Sequence, residues 1–585
     1  MGEAAVSAAR EDFANRIGGQ VRSMSRAGRI GTYEWQSIAE EFLDYLGALS
    51  VETPRLDTPE AKAALKDATA AAVGAVAYAA YFPHCSFHVT LDYVNFGMGY
   101  DRGDDEDGDG DGEESVTPHD WIDAFCLTVL SDKVRWHGEE FHFARQKFGD
   151  SADGTPAVEL VRGFTAQVIG DTGNDDEEHP PSAQARLAAI DAAIDRVRTR
   201  EEENGESLLR RPDGVGLSTL RALAAEDREA FDAGLAALLL PHTTLHGAGA
   251  RPGSLLPLLP LALAALAYRT LGWAPAVDTD YLPHALVTNF ETRGPRVGGF
   301  GRDRRPDAVA ALAAGPLLVE RPAFDRADVH PESEASFERS TREAITAVDG
   351  EPPAVGRLTS ALRYQELLFK WRTARSCDVV DAQLRNLRLA SQLGAALFRV
   401  ALAEPGTQAE VTVDGRTLRY PATRGRNASA GQWQTATAFA LITGVREDLA
   451  PLVLTGPVFA GEDGGAFSAY RKALHDYLRG ADPEPAAELA LQERERTEHW
   501  GFFRPPAVLL SQLVEGDEES FNLALADALE AHRDHFQVAD RAEEPDAPID
   551  LDVLALACHA RRRGWDIRVE SPYLPQRLLR AARPV

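Results

Sequence analysis

The sequence predicts a mainly α-helical protein built from two tandem homologous helical domains, each with one small β-hairpin. Three observations predict this class. The chain has 585 residues, which is too long for one ordinary hydrophobic core. A set of residues recurs at an offset of about 290 positions, and many of the recurring residues have the three-to-four-residue spacing of a helix face. Hydrophobic residues make up 44% and charged residues 26%, which is typical of a folded chain.

The repeat is clearest near the end of each copy, where a Gly-Trp pair is followed after a seven-residue gap by Tyr-Leu-Pro. An apolar stretch rich in alanine and leucine precedes the pair in both copies. We predict that this stretch is a helix whose C-terminus the glycine closes in the left-handed conformation. We expect the repeated aromatic residues to pack helices together. The signature residues are Gly272, Trp273, Tyr281, Leu282 and Pro283 in the first copy and Gly564, Trp565, Tyr573, Leu574 and Pro575 in the second.

A second recurring stretch lies upstream of the first. It opens with an aspartate, Asp227 or Asp517, at the position expected for a helix N-cap. Apolar residues then recur at helical spacing, and a histidine follows them. The ordered series of identities predicts a tandem duplication. The paired residues are Phe231, Leu235, Leu239 and His242 in the first copy and Phe521, Leu525, Leu529 and His532 in the second.

Two further patterns complete the predicted domain plan. Residues 411–420 alternate between apolar and polar side chains around Asp414-Gly415, which predicts a β-hairpin, and residues 87–96 are the expected counterpart. Residues 291–320 are rich in glycine, proline and arginine at their start and are predicted to be a linker. This gives a first domain over residues 1–290 and a second over residues 321–585.

The charge balance narrows the class of partner. The chain has 61 basic and 91 acidic residues, a formal net charge of −30. A generic nucleic-acid-binding protein needs a basic face that replaces phosphate counterions, so we exclude that class. A basic protein partner is compatible with this charge, because long-range attraction would steer it toward an acidic surface. The sequence leaves the oligomeric state open between a fused pseudo-dimer and two separate domains.

The sequence also predicts a cytoplasmic protein that does not enter a membrane. Its N-terminus lacks the charged and apolar segments of a signal peptide. The most apolar run, residues 255–267, is too short to cross a bilayer. The four cysteines lie far apart in apolar surroundings, so we expect buried free thiols rather than disulfides or a zinc site. They are Cys85, Cys126, Cys377 and Cys558.

Motifs that carry chemistry are absent or incomplete. The acidic run 101–114 matches the first half of an EF-hand loop, but Val116 stands where the calcium-binding glutamate is required. His242 and His246 are one helical turn apart, yet the second copy has Phe536 at the position of His246. The sequence contains no nucleophile elbow, phosphate-binding loop or dinucleotide-binding glycine motif. We therefore predict no catalytic, cofactor-binding or metal-binding residues.

The acidic run has two interpretations, a solvated loop or a loop that binds a partner. Its carboxylates are the candidate partner-binding residues under the second interpretation. These are Asp104, Asp105, Glu106, Asp107, Asp109, Asp111, Glu113 and Glu114.

The second copy resembles the immunity protein 49 family. The stretch from Phe521 to His532, followed by residues 569–575, is similar to the closing helices of that family. Trp433 fits a Trp-bearing helix in the middle of the family, and the hairpin over 411–420 fits before it. The resemblance covers most of residues 330–585 and extends through the repeat to residues 1–290. It implies a cytoplasmic bacterial protein that binds and neutralises a cognate polymorphic toxin and is not an enzyme.

Three functions are consistent with these observations. The first is an immunity protein that occludes a toxin by stoichiometric binding, where the acidic charge fits a basic nuclease-type toxin. The second is a helical scaffold or regulator that holds a protein or peptide between two similar domains. The third is a hydrolase that uses carboxylates no motif marks. The resemblance favours the first.

Overall fold

The computed structural model describes residues 2–102, 115–149, 152–173, 179–244, 250–290, 294–324, 331–346, 354–423, 428–457, 465–497 and 504–583. Within these ranges the chain forms 24 α-helices and six short strands, which confirms the predicted mainly α class. The chain divides into two compact units, and the second begins at Gly294.

The first unit contains four helices, then a hairpin and then eight further helices. Its elements are α1 (Glu3–Arg10), α2 (Phe13–Ala27), α3 (Thr32–Glu52), α4 (Pro59–Tyr81), β1 (Phe87–Leu91), β2 (Phe96–Tyr100), α5 (Pro118–Leu130), α6 (Val134–Gln146), α7 (Pro156–Phe164), α8 (Ala183–Asn204), α9 (Pro212–Ala224), α10 (Arg228–Leu239), α11 (Leu258–Leu271) and α12 (His284–Thr288).

The second unit repeats this order after an entry segment and adds a two-stranded parallel pairing. Its elements are α13 (Pro306–Ala314), β3 (Leu317–Leu318), α14 (Pro331–Ala344), α15 (Val355–Ala374), α16 (Asp381–Leu402), β4 (Gln408–Val413), β5 (Arg416–Pro421), α17 (Ala430–Thr443), α18 (Arg446–Thr455), α19 (Ala466–Leu478), α20 (Glu484–Arg496), α21 (Ala507–Glu515), α22 (Glu518–Phe536), α23 (Leu551–Arg562), β6 (Val569–Glu570) and α24 (Gln576–Ala581).

Both predicted hairpins form. β4 and β5 pair antiparallel around Asp414 and Gly415, whose φ angles of 52° and 72° are those of the tight turn that the Asp-Gly pair predicts. In the first unit β1 and β2 pair antiparallel from Phe87 to Tyr100, four residues beyond the predicted end. Each hairpin begins six residues after the end of a long helix, α4 or α16.

The predicted helix ends are also confirmed. The carboxylate of Asp227 accepts a hydrogen bond from the backbone of Ala230, and that of Asp517 accepts one from Ser520, as N-caps do. Gly272 ends α11 at φ 70°, and Gly564 follows the end of α23 at φ 94°. Both φ values lie in the left-handed region that glycine adopts without strain.

The segment predicted as a linker is instead packed into the second unit from Gly294 onward. Val297, Leu312 and Val319 are buried in its core, and Leu317–Leu318 pair parallel with Val569–Glu570. The predicted linker was wrong for these residues because its glycines and arginines find tertiary partners. The Arg296 guanidinium lies 2.6 Å from carboxylates of both Asp527 and Glu530 on α22.

Replacing Arg296 with alanine is expected to lower the free energy of unfolding by about 1 to 2 kcal/mol, because the two carboxylates lose a half-buried cation. Arg302→Ala is the matched control. Its partner Glu488 is 3.4 Å away and both side chains are exposed, so its expected loss is below about 0.5 kcal/mol. Urea unfolding followed by circular dichroism measures both variants. Equal losses would show that the Arg296 contacts do not hold the segment.

The cysteine prediction holds for only two of the four thiols. Cys126 and Cys558 are buried within α5 and α23, whereas Cys85 and Cys377 are exposed. Cys85 and Cys377 lie in connections between a helix and the next element. Such connections run along the surface, so apolar residues next to a cysteine in the sequence do not bury it.

Candidate partner-binding faces

The repeat signature forms matching packing contacts inside each unit. The Phe231 and Trp273 rings lie 5.9 Å apart, and the Phe521 and Trp565 rings lie 5.4 Å apart. Each pair joins a helix to the turn that follows the next helix, α10 to α11 and α22 to α23. These aromatic contacts pack the helices of each unit together and stabilise the fold.

The remaining signature residues also pack inside their own units. Tyr573 is buried, and its ring lies 5.1 Å from that of buried His532. In the first unit Tyr281 is half-buried, and its hydroxyl donates a hydrogen bond to the His242 carbonyl. Leu282, Pro283, Leu574 and Pro575 are buried as well.

The candidate residues of the acidic run lie outside the described residues. These are Asp104, Asp105, Glu106, Asp107, Asp109, Asp111, Glu113 and Glu114. Within the described ranges, no group of three or more His, Cys, Asp or Glu side chains is arranged to hold a metal ion. Every helix in those ranges is too short or too polar to span a bilayer.

A buried tryptophan occupies the same place in both units, and only Trp433 could be recognised from the sequence. The indole of Trp433 on α17 donates a hydrogen bond to the Leu452 carbonyl on α18, at 2.9 Å. The indole of Trp121 on α5 donates to the Phe141 carbonyl on α6, at 3.0 Å. Both tryptophans are fully buried. Helix α6 is therefore the counterpart of α18.

A matching arginine contact confirms this alignment. Arg269, in the last turn of α11, donates to the Val129 and Leu130 carbonyls at the end of α5. Arg562, in the last turn of α23, donates to the Leu441 and Ile442 carbonyls near the end of α17. In each unit an arginine thus satisfies the carbonyls that a helix C-terminus leaves without intrahelical partners.

The aligned helices expose a large apolar side chain at the same position. Two residues beyond the tryptophan-bound carbonyls lie Phe143 on α6 and Leu454 on α18, with 39% and 75% of their surface exposed. The ends of α4 and α16 pack beside them and place Tyr81 and Leu402 at equivalent positions before the two hairpins. The rings of Tyr81 and Phe143 lie 6.2 Å apart.

These side chains define two corresponding surfaces. The α4–α6 face consists of Tyr81, Glu139, Glu140 and Phe143. The α16–α18 face is a shallow groove of about 330 Å³ lined by Arg399, Leu402, Ala403, Ala450, Pro451 and Leu454. Exposed apolar groups that cluster in this way mark interaction surfaces more often than isolated ones do.

The two faces share geometry but differ in charge. Glu139 and Glu140 precede Phe143 by one helical turn, whereas Ala450 and Pro451 occupy the corresponding positions before Leu454. Burial, followed by the charges of Glu140 and Glu139, raises the pKa of Tyr81 well above its usual value. The two carboxylates therefore lie close enough to Tyr81 to act on its hydroxyl, and Tyr81 is half-buried beside the more exposed Phe143.

The two units also differ in net charge, and the first unit is the more acidic. Residues 1–293 contain 48 acidic and 25 basic residues, a net charge of −23. Residues 294–585 contain 43 acidic and 36 basic residues, a net charge of −7. The first unit therefore generates most of the field that would attract a basic partner.

Comparison with known proteins assigns both units to one family. The family model of immunity protein 49 matches residues 55–286 and again residues 376–578. No curated protein and no solved structure matches the chain. Both faces lie inside the matched ranges. Two matches that together cover most of the chain, on two units with the same order of elements, show that this protein belongs to the immunity protein 49 family.

Proposed function

We propose that this chain neutralises a cognate toxin by binding it in a stoichiometric complex, and that the toxin presents a basic surface such as that of a nuclease. Membership of an immunity protein family, matched twice along the chain, carries this proposal. Two further observations support it. Each unit exposes apolar side chains at corresponding positions, and the first unit is strongly acidic. The substrate cleft of a nuclease is positively charged because it binds phosphate. The same positive charge would attract the cleft to an acidic surface.

Binding and neutralisation can be tested together. The tagged chain is purified from its native host, proteins retained at about a 1:1 ratio are identified by mass spectrometry, and each is expressed alone in a surrogate host. We expect one retained protein to arrest growth and co-expression of this chain to restore it. An unrelated acidic protein of similar net charge is the control, because it separates specific recognition from general charge attraction.

Two outcomes would contradict the proposal. Retained proteins that do not arrest growth would favour the scaffold or regulator. Rescue by the unrelated acidic protein would show that charge alone accounts for the effect.

A further inference from the structure

The α4–α6 face is the better candidate of the two corresponding faces for a basic partner. Glu139 and Phe143 are four residues apart on α6, so they lie on one stripe of the helix surface, and both are exposed. Glu140 lies three residues before Phe143, but its side chain is mostly buried. An exposed aromatic ring next to carboxylates suits a cationic segment whose side chains also have apolar stems.

The positive charges of α6 leave this stripe acidic. Arg145 forms an ion pair with Asp171, so its charge is compensated within the first unit. Arg135 stacks on the Trp136 ring, with its guanidinium carbon 4.5 Å from the ring centroid, one turn before Glu139. The Glu140 carboxylate lies 3.4 Å from the His137 ring on the same helix and its side chain is only 17% exposed, so Glu139 is the carboxylate that this stripe presents to a partner.

The α16–α18 face has the opposite character. Among the residues that the structure describes, the groove is lined by no carboxylate, and Arg399 at its edge donates a hydrogen bond to the Glu447 carbonyl at 3.1 Å. A cationic segment would therefore meet a like charge in the second unit and opposite charges in the first. The two units expose apolar side chains at the same positions but surround them with different charges.

We propose that the toxin docks on the α4–α6 face of the first unit, where Phe143 and Tyr81 supply the apolar contact and the exposed Glu139 carboxylate accepts hydrogen bonds from a lysine or arginine side chain. This inference rests on the proposed function and names its binding surface. The aromatic side chains would contribute most of the affinity, as buried aromatic anchors do. The Glu139 carboxylate at the rim would act mainly on the association rate and on its dependence on salt.

The test uses the full-length chain and the toxin recovered by the growth-arrest experiment above. Binding is measured by surface plasmon resonance for Phe143→Ala and Glu139→Lys. Both side chains are exposed, so we expect both variants to fold, which circular dichroism checks. Leu454→Ala is the matched control at the corresponding position of the second unit. Glu203→Lys makes the same charge change on the exposed end of α8.

Phe143→Ala is expected to raise Kd by about tenfold to a hundredfold. Glu139→Lys is expected to lower the association rate by about tenfold at low salt, with a smaller deficit once salt screens exposed charges. Both controls are expected to stay within about twofold of the wild type, because they lie outside the α4–α6 face.

Three results would overturn the assigned face. The first is that Leu454→Ala loses binding while Phe143→Ala binds normally. The second is that all four variants bind as the wild type does. The third is that Glu139→Lys and Glu203→Lys lower the association rate equally. In each case the wild type still binds and restores growth, so the proposed function survives. A wild-type chain that neither binds nor rescues would instead contradict the function itself.

Discussion

Replacing Trp433 with alanine is expected to lower the free energy of unfolding of the second unit by about 3 to 5 kcal/mol. The side chain is fully buried, and its indole donates to the Leu452 carbonyl. Alanine leaves a cavity between α17 and α18 and removes the donor of that carbonyl. Trp433→Phe keeps most of the buried volume and loses the hydrogen bond, so its expected cost is about 1 to 3 kcal/mol.

Trp121→Ala is the matched variant in the first unit, because Trp121 is equally buried and binds the Phe141 carbonyl. We expect a loss of the same size there. Urea unfolding gives the free energies, and hydrogen exchange shows which helices lose protection. The two effects should appear at α6 for Trp121→Ala and at α18 for Trp433→Ala. A loss below about 1 kcal/mol in either alanine variant would show that the buried indole and its hydrogen bond contribute little to the packing of the two helices they join.

These variants also bear on the docking proposal. Loosening α6 displaces Phe143 and Glu139, so Trp121→Ala is expected to weaken toxin binding. Loosening α18 displaces Leu454 but leaves the α4–α6 face in place. Trp433→Ala should therefore bind the toxin with nearly the wild-type Kd under conditions in which the first unit is folded.

The second large effect concerns the dependence of stability on pH. Asp67 lies on α4 with almost no exposed surface, and its carboxylate accepts hydrogen bonds from the backbone of Asp92 and Tyr93. Burial, together with the nearby Asp92 charge, raises the pKa of Asp67 from 3.8 to about 7. The folded chain therefore binds this proton more tightly than the unfolded chain does.

The direction of the effect follows from that difference. The contribution of Asp67 to stability is fully present below pH 3.8 and is lost as pH rises toward 7, because ionisation then costs free energy only in the folded state. Between pH 5 and pH 8 the wild type is expected to lose about 2 kcal/mol relative to Asp67→Asn, which does not titrate. The amide replaces one of two acceptors, so the variant starts less stable at pH 5.

The measurement is urea unfolding of both proteins at several values between about pH 5 and pH 8. Asp195→Asn is the control, because the Asp195 side chain is exposed and bonds only to Arg198 among the contacts described. Its difference from the wild type is expected to stay constant with pH. A constant difference for Asp67→Asn as well would show that the carboxyl titrates in the folded chain at its ordinary pKa.

Much of the fold could be predicted because its signals are local. The N-cap aspartates Asp227 and Asp517, the closing glycines Gly272 and Gly564 and the Asp414-Gly415 turn act on backbone groups a few residues away. Each therefore predicts the same structure wherever its helix or hairpin finally packs. The tandem organisation was equally accessible, because both copies retain these signals in the same order.

The first tryptophan anchor was missed for a related reason. Trp121 and Trp433 are separated by 312 residues, whereas the closing signatures are separated by 292. Connections of different length between the helices shift the register, so a comparison at one offset does not align the two tryptophans. Their equivalence became visible only through the carbonyl groups that both indoles bind.

The sequence by itself determined the helical class, the duplication, the hairpins, the helix ends and the family resemblance. Only the tertiary structure decided which apolar side chains stay uncovered and where the second unit begins. Leu452 and Leu454 are alike in sequence and two positions apart, yet Leu452 is buried and Leu454 is 75% exposed. Spacing along one helix sets which side chains share a stripe, but whether a stripe is covered depends on helices far away in the chain.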